Sequence, residues 1–439
     1  MFKTLANAWK MPDIRKKILF TLLMLLIYRI GAYIPVPGVN VEFIQKVVGD
    51  YSILEFLNLF SGGSLANMTI FALGIVPYIN ASIIMNLLTV AIPKLERMAK
   101  EGDDGRKKIA SITRVLGVVL GLVQAIGILI SLINLGAAQG MSVVEPNANW
   151  FTYVTIIVCL TAGTALIMWI GERITENGIG NGISLLIFIS IISRVPAMIQ
   201  SMISSVQEGS ASFWSIVLVA ALAFVIVLGI TFVDLGERRI PVQYAKRVVG
   251  RKMYGGQSTH IPMKVNQSGV MPIIFAMAFM SLPNTLSLFV EPVANPEGAS
   301  VGAKIYYYFI AFFKTQSYGY AALYFILIVA FNYFYVSMQY NPVEIANNLR
   351  QSNGGIPGIR PGKPTSDYIQ RILSKITLTG AIFLGLIAIF PIFFARALPD
   401  MSGLSMGGTS ILIVVSVALE TVRTMESQMM MRHHKGFLG

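Results

Sequence analysis

The sequence predicts an all-α polytopic membrane protein with ten transmembrane helices in two inverted five-helix halves. Hydrophobic residues make up 55% of the 439 residues and charged residues only 13%, whereas a soluble domain carries about 25% charged residues. Apolar runs long enough to cross a bilayer recur along the chain. The Lys and Arg residues between these runs fall largely on one side. This composition excludes a soluble enzyme, a disordered scaffold and a fibrous protein.

The ten predicted spans are apolar runs that are each separated from the next by a polar or charged connection. They cover residues 18–36, 70–92, 110–135, 151–171, 181–204, 213–234, 269–290, 318–338, 374–395 and 408–424. The first run follows a basic N-terminus and is too long for the core of a cleaved signal peptide, so we expect it to be retained as a helix.

The distribution of Lys and Arg places both termini in the cytoplasm. Nearly all of these residues lie on the side of the N-terminus, and the exceptions are Lys46, Lys304, Lys314 and Arg396 on the other side and Arg29 and Arg194 within spans. Ten spans with both ends inside divide into two sets of five with opposite orientation, as in many transport folds. We therefore expect a first half at 1–206, a second half at 207–424 and a cytoplasmic tail at 425–439.

The segment at about 53–67, between the first two spans, is apolar but too short to cross the bilayer. Gly62 and Gly63 allow a sharp turn. One interpretation is a re-entrant half-helix, which requires protein or a water-filled cavity around it. The alternative is an interfacial helix on the outer leaflet.

Two spans carry isoleucine pairs four residues apart, which place both side chains on one helix face. Ile79 and Ile83 follow Pro77, which is expected to kink or restart the helix. Ile187 and Ile191 follow the glycine-rich turn Gly178–Ser184. Such pairs most often face lipid or a packed neighbour. Asn80 lies on the same helix as Ile79 and Ile83. Because side-chain amides are unfavourable against lipid, we expect this helix to contact something other than lipid.

Two cytoplasmic connections, about 235–268 and 339–373, are longer and more basic than simple turns require. Alternating Ile240, Val242 and Tyr244 in the first predict a β-hairpin. Glycines and prolines in the second predict a rigid turn that presents Arg360. Basic loops of this kind suit an acidic partner, protein or ribosomal RNA. The candidate docking residues are Arg238, Arg239, Lys246, Arg247, Arg251, Lys252 and Arg360.

The sequence contains no pattern that indicates catalysis. There is no His, Cys and carboxylate cluster with metal-ligand spacing, no phosphate-binding loop and no nucleophile elbow. We therefore expect no enzyme activity, no metal and no cofactor. No charged pair is expected near the membrane midplane, which argues against an ion-coupled carrier without excluding a facilitator.

Several separated motifs together resemble the SecY family of protein translocase channels. They are Gly74–Asn86, Gly178–Ser184, Gln257–Asn266, Pro357–Gly362 and Gly407–Ser410, and they occur in the family's order along nearly the whole chain. The resemblance implies a channel in the bacterial cytoplasmic membrane. Such a channel passes unfolded preproteins across the membrane and releases hydrophobic segments sideways into lipid. A small-solute permease with an inverted-repeat fold is the alternative.

The resemblance also implies the roles of individual residues. The pore ring would be Ile79, Ile83, Ile187, Ile191, Ile274 and Ile413, with Met277 or Ala278 as alternatives to Ile274. The Ile53–Asn67 segment would be the plug, with Leu54, Phe56, Leu57, Phe60, Gly62 and Gly63 as its key residues. A lateral gate would lie between spans two and three and spans seven and eight, where Asn86 replaces an expected glutamine.

The resemblance also implies a set of partners for such a channel. They are the SecE and SecG accessory subunits, the SecA motor ATPase, the ribosome, the preprotein with its signal peptide, and membrane lipid. Because the chain has no ATP site of its own, the resemblance implies that the motor or a translating ribosome supplies the work. Binding to a motor ATPase or to ribosomes distinguishes this function from that of a permease.

Overall fold

The structure is a computed structural model of the chain and is mostly helical. It describes residues 8–50, 54, 58, 61–139, 142–144, 149–207, 212–244, 247–249, 252–254, 258–287, 300–313, 317–397 and 407–435. The helices are α1 (Pro12–Gly31), α2 (Val41–Asp50), α3 (Val76–Ala91), α4 (Pro93–Lys100), α5 (Asp103–Gln139), α6 (Trp150–Asn177), α7 (Gly182–Ile192), α8 (Val195–Gln207), α9 (Phe213–Leu235), α10 (Met271–Ser287), α11 (Val301–Phe312), α12 (Tyr318–Gln339), α13 (Pro342–Gln351), α14 (Lys363–Ala397) and α15 (Gly407–Lys435).

Each predicted span overlaps at least one helix in the structure. Within the described residues, six helical stretches are long and apolar enough to cross a membrane: Asp103–Ala137, Trp150–Asn177, Gly182–Ser204, Ile216–Leu235, Tyr318–Gln351 and Lys363–Phe393. Helices α3 and α4 meet at 100° and would together make a seventh. The remaining predicted spans correspond to α1, α10 and α15, so the count of ten stays a prediction.

The strands belong to the two basic connections. β1 (Glu237–Tyr244) pairs antiparallel with β4 (Ser258–Lys264), with Ile240 opposite Ile261, which confirms the predicted hairpin. β2 (Arg247–Val249) pairs with β3 (Lys252–Tyr254). β5 (Gly354–Gly355), from the second connection, pairs with Gln243 and Tyr244 on the other edge of β1. The two connections therefore share one three-stranded sheet.

By the density of its contacts the chain forms two compact units. The first unit comprises Met1–Ile216, Met277–Tyr320 and Val417–Gly439, and the second comprises Val217–Ala276 and Ala321–Ser416. These units group residues by packing and carry no information on internal symmetry. The division into inverted halves at 1–206 and 207–424 therefore stays a prediction.

The main apolar cluster of the first unit lies between α5, α6 and the connection that precedes α3. The buried members are Val36, Phe43, Ile44, Leu54, Leu65, Met68, Ala72, Leu73, Ala125, Ile128, Leu129, Leu132, Val143, Val144, Ile156 and Leu160. Leu54 and Leu65 bring the predicted plug segment into this cluster.

The second unit packs its sheet on helices α13 and α14. Ile240 and Val242 of β1 are buried with Ile369 of α14 beneath the sheet. Where the hairpin ends, the Asn266 Nδ2 donates to Asp234 Oδ1 of α9 at 2.7 Å, and both side chains are buried. Leaving a buried polar group unpaired is costly, so this bond helps to fix the base of the hairpin to α9.

Candidate functional site

Pro77 marks the start of helix α3. Residues 61–75 before it form a run of turns in which Gly74 has a φ of +59°. α3 begins at Val76, with Pro77 in its first turn, where the missing N–H removes no helical hydrogen bond. The prediction that Pro77 restarts the helix is confirmed. The helical part of the second predicted span therefore begins at Val76 and not at residue 70.

The isoleucine pair on α3 points into the protein. Ile79 and Ile83 are buried, and so is Asn80, whose Oδ1 has no hydrogen-bond partner among the described residues. The exposed apolar residues of α3, Leu87 and Val90, lie near its other end. The face that carries Ile79 and Ile83 therefore does not contact lipid.

A tight turn positions the second isoleucine pair on α7. The side chain of Asn181 caps the helix by accepting from the backbone N–H groups of Ile183 (3.0 Å) and Ser184 (3.4 Å). A methyl group added at Gly182 would lie 1.9 Å from the carbonyl oxygen of Gly171 in α6. This turn agrees with the predicted glycine-rich turn, and the close approach packs the start of α7 against α6. Beyond it Ile187 and Ile191 are both buried.

The two remaining ring candidates belong to the second unit. Ile274 in α10 and Ile413 in α15 are buried, and all six predicted ring side chains are between 0% and 6% exposed. The alternatives Met277 and Ala278 are buried as well, so burial does not select among the candidates on α10. The assembly of these side chains into one ring stays a prediction.

The described part of the predicted plug segment lies inside the first unit. The Oδ1 of Asn58 accepts from the N–H of Ala66 at 3.0 Å, and the Oγ of Ser61 accepts from the N–H of Leu65 at 3.2 Å. Gly62 and Gly63 have φ values of +67° and +90°, which only glycine adopts readily. Leu54 is buried, whereas Phe56, Leu57 and Phe60 lie outside the described residues. Burial of this segment favours the re-entrant interpretation over an interfacial helix.

The glycine turn of this segment contacts α7 between its two isoleucines. A methyl group added at Gly62 would lie 3.0 Å from the Cα of Ser190. The sequence alone does not single out Ser190, which is three residues from Ile187 and one from Ile191. Its only signal is a small polar residue within an apolar helix, and that signal is common in packed membrane helices.

The candidate docking residues that the structure describes lie on and beside the three-stranded sheet. Arg238 and Arg239 are exposed on β1, and Arg239 pairs with Glu237 at 2.6 Å. Arg360 is exposed in a turn between Gly358 and Gly362, both with positive φ. Arg247 and Lys252 belong to β2 and β3 by their backbone, and their side chains, together with Lys246 and Arg251, lie outside the described residues. β1 and the turn that follows β5 therefore present basic residues of both connections.

Among the described residues, no group of three or more His, Cys, Asp and Glu side chains could hold a metal ion. The features that distinguish the candidate site are the buried isoleucine pairs on α3 and α7 and the backbone turns that precede these two helices. A many-helix membrane protein with a buried turn segment between its first helices is the class that this geometry defines.

The comparisons with known proteins identify the family. A family model described as SecY matches residues 69–422. The protein translocase subunit SecY of Mycobacterium tuberculosis is 44% identical over 447 aligned residues, which cover 100% of each chain. The chain belongs to the SecY family.

Solved structures confirm the fold class. A structure described as a protein-conducting channel has a TM-score of 0.65 at 18% identity and covers 96% of each chain. Sec61 in the canine ribosome–channel complex from the endoplasmic reticulum has a TM-score of 0.61 at 17% identity, with the same coverage. The prediction of an all-α polytopic membrane protein with the SecY fold is therefore confirmed.

Proposed function

We propose that this chain is the central channel subunit of a protein translocase. It passes unfolded preproteins across the bacterial cytoplasmic membrane and releases hydrophobic segments sideways into lipid. The observation that carries the proposal is that all six predicted ring side chains are buried, between 0% and 6% exposed, in a chain whose apolar helices otherwise expose many large residues. Membership of the SecY family supports the same conclusion.

The proposed constriction works through aliphatic side chains alone. An apolar constriction expels water and so blocks ions. The six isoleucines are stiff at χ1, which helps to keep a narrow, uniform opening around a passing polypeptide. No charged group is needed at this point, because the barrier to an ion is its own dehydration.

The plug is proposed to close the channel when no polypeptide is present. Support comes from the buried position of Leu54 and from the contact of Gly62 with Ser190, which lies between Ile187 and Ile191. Non-helical backbone inside a membrane protein is stable only against protein or a water-filled cavity. Residues 61–67 of the segment form turns, and turns can be displaced without unfolding a spanning helix.

The proposed channel carries out no catalytic step and holds no cofactor, so partners supply the work. The basic sheet with Arg238, Arg239 and Arg360 is the proposed docking surface for the SecA motor ATPase or the ribosome. The ribosome–channel complex of the canine relative supports the latter. SecE and SecG are the expected accessory subunits, and both termini are expected in the cytoplasm.

A small-solute permease is not favoured, because the translocase relative matches the chain over its full length. The deciding experiment places a photo-crosslinker at Ile83 or Ile191 and stalls a preprotein in the reconstituted translocase. Leu26 of α1, which is 57% exposed, is the matched control. We expect crosslinks at both isoleucines and none at Leu26. A preprotein that crosses the membrane without contacting either isoleucine would refute the proposed path.

A further inference from the structure

We propose that α1 and α7 hold the glycine turn of the plug in place through a latch of four residues, Tyr28, Arg29, Gly62 and Ser190. The inference deepens the proposed function and rests on the plug role assigned there. It assigns a positioning role to two residues of α1 and one of α7, none of which belongs to the predicted ring or plug.

The first contact of the latch is a close backbone approach at Gly62, where an added Cβ would be tighter than an ordinary van der Waals contact. A methyl group added at Gly62 would lie 3.0 Å from Ser190 Cα and 3.2 Å from both the Cβ and the carbonyl oxygen of Ser190. Gly62 also has a φ of +67°. The neighbouring Gly63 has a φ of +90°, yet a methyl group there would meet nothing within 4 Å. Gly62 is therefore the point at which the turn rests on α7.

The second contact joins α1 to α7 at the same serine. Ser190 Oγ donates to the carbonyl oxygen of Leu186 at 2.8 Å. Because a hydroxyl has one proton, the bond of 2.7 Å between Tyr28 and Ser190 has the tyrosine hydroxyl as its donor. Tyr28 also stacks on Phe71, with ring centroids 5.5 Å apart. These contacts fix the end of α1 beside the turn.

The third contact comes from the next residue of α1. Arg29 Nη1 donates to the carbonyl oxygen of Gly62 at 3.4 Å, while Nη2 donates to the hydroxyl of Tyr33 at 2.9 Å. The guanidinium carbon also lies 4.9 Å from the centroid of the Tyr33 ring. Tyr33 thus orients the guanidinium, and the bond to Gly62 is at the long end of the hydrogen-bond range. A long bond to a neutral carbonyl holds the turn while leaving it free to open.

The test measures the resting ion conductance of the reconstituted translocase in planar bilayers. Losing one hydrogen bond of this kind shifts a two-state equilibrium by about two- to tenfold. We expect Ser190→Ala and Arg29→Gln to raise the open fraction by that factor, and Arg29→Lys to restore part of the closure. Ser193→Ala, which removes a hydroxyl that donates to the carbonyl oxygen of Ser190 at 2.8 Å, is the matched control and should leave the conductance unchanged.

Alanine variants of Gly62 and Gly63 distinguish the effect of the contact with Ser190 from the effect of backbone strain. Both substitutions place a side chain on a residue with positive φ, which strains the backbone. Only the methyl group of Gly62→Ala would also contact Ser190. We expect the conductance of Gly62→Ala to exceed that of Gly63→Ala several-fold. Equal conductance of these two variants, or a Ser190→Ala channel as tight as Ser193→Ala, would overturn the latch. If Gly62→Ala fails to fold, the serine pair decides the question alone.

A variant that lacks residues 61–67 distinguishes failure of the latch from failure of the plug. A leak in this variant, together with tight Arg29→Gln and Ser190→Ala channels, refutes the latch and leaves the plug intact. A tight channel without residues 61–67 refutes the plug role itself, and the latch with it.

Discussion

Replacing Gly163 by alanine should destabilise the first unit. Gly163 lies in α6, where a methyl group would be 1.7 Å from the carbonyl oxygen of Ile70 and 2.7 Å from its carbon. Carbon and oxygen atoms in contact are usually at least about 3.3 Å apart, so α6 and the turn segment must separate by roughly 1.5 Å.

The size of the effect follows from that overlap. Overpacking a core costs about 1–3 kcal/mol, and the upper part of the range applies because a carbonyl held in a turn cannot rotate away. Alanine recovers up to about 1 kcal/mol through its helix propensity. We therefore expect a net loss of about 2 kcal/mol in the free energy of unfolding.

Gly121→Ala is the matched control for this prediction. A methyl group there would lie 3.3 Å from Thr164 Cγ2, an overlap that a displacement of a few tenths of an ångström relieves. The same gain in helix propensity then applies without a backbone overlap, so the control should be close to neutral. Thermal unfolding of the purified variants in one detergent measures the difference. A Gly163→Ala protein that melts at or above the Gly121→Ala protein would refute the reasoning.

The remaining predictions concern the pore and the docking sheet. Ile83→Asn should raise ion conductance in planar bilayers, because an amide hydrates an apolar constriction; unchanged conductance would contradict the ring. Arg360→Glu should abolish preprotein import into proteoliposomes while the protein stays folded, and normal import would rule out its docking role. Gly354→Ala, whose methyl group would lie 2.9 Å from the Tyr244 ring, should weaken motor or ribosome binding several-fold. Gly355→Ala is the control and should leave binding unchanged, because a Cβ there has open space around it. If the two variants bind the motor or the ribosome equally well, β5 is dispensable for docking.

Features with a local signal could be predicted from the sequence. Apolar runs located the six helical stretches that are long enough to cross a membrane. Alternation at Ile240, Val242 and Tyr244 predicted the hairpin, and Pro77 indicated a break that falls at the start of α3. The first span was predicted to continue to residue 36, but α1 ends at Gly31. Hydropathy alone could not place that end, because the chain after it is still apolar and instead forms a bridge between Pro35 and Thr69.

Features that depend on contacts between distant residues could not be predicted. Tyr28 and Ser190 are 162 positions apart, and neither stands out within its apolar run. β5 consists of two glycines, which carry no strand pattern, and it pairs with β1 from another connection. Such pairings depend on the folded chain as a whole, because the two partners belong to helices or strands that are far apart in the sequence.

The pairing of β5 with β1 has a consequence for chimeric proteins. A side chain at Gly354 would lie 2.9 Å from the Tyr244 ring, so the two connections are closely packed where β5 pairs with β1. If only one connection is replaced by that of a relative, β1 and β5 would come from different proteins and their side chains would no longer be adapted to each other. Exchanges designed to alter partner preference should therefore move 235–268 and 339–373 as a pair.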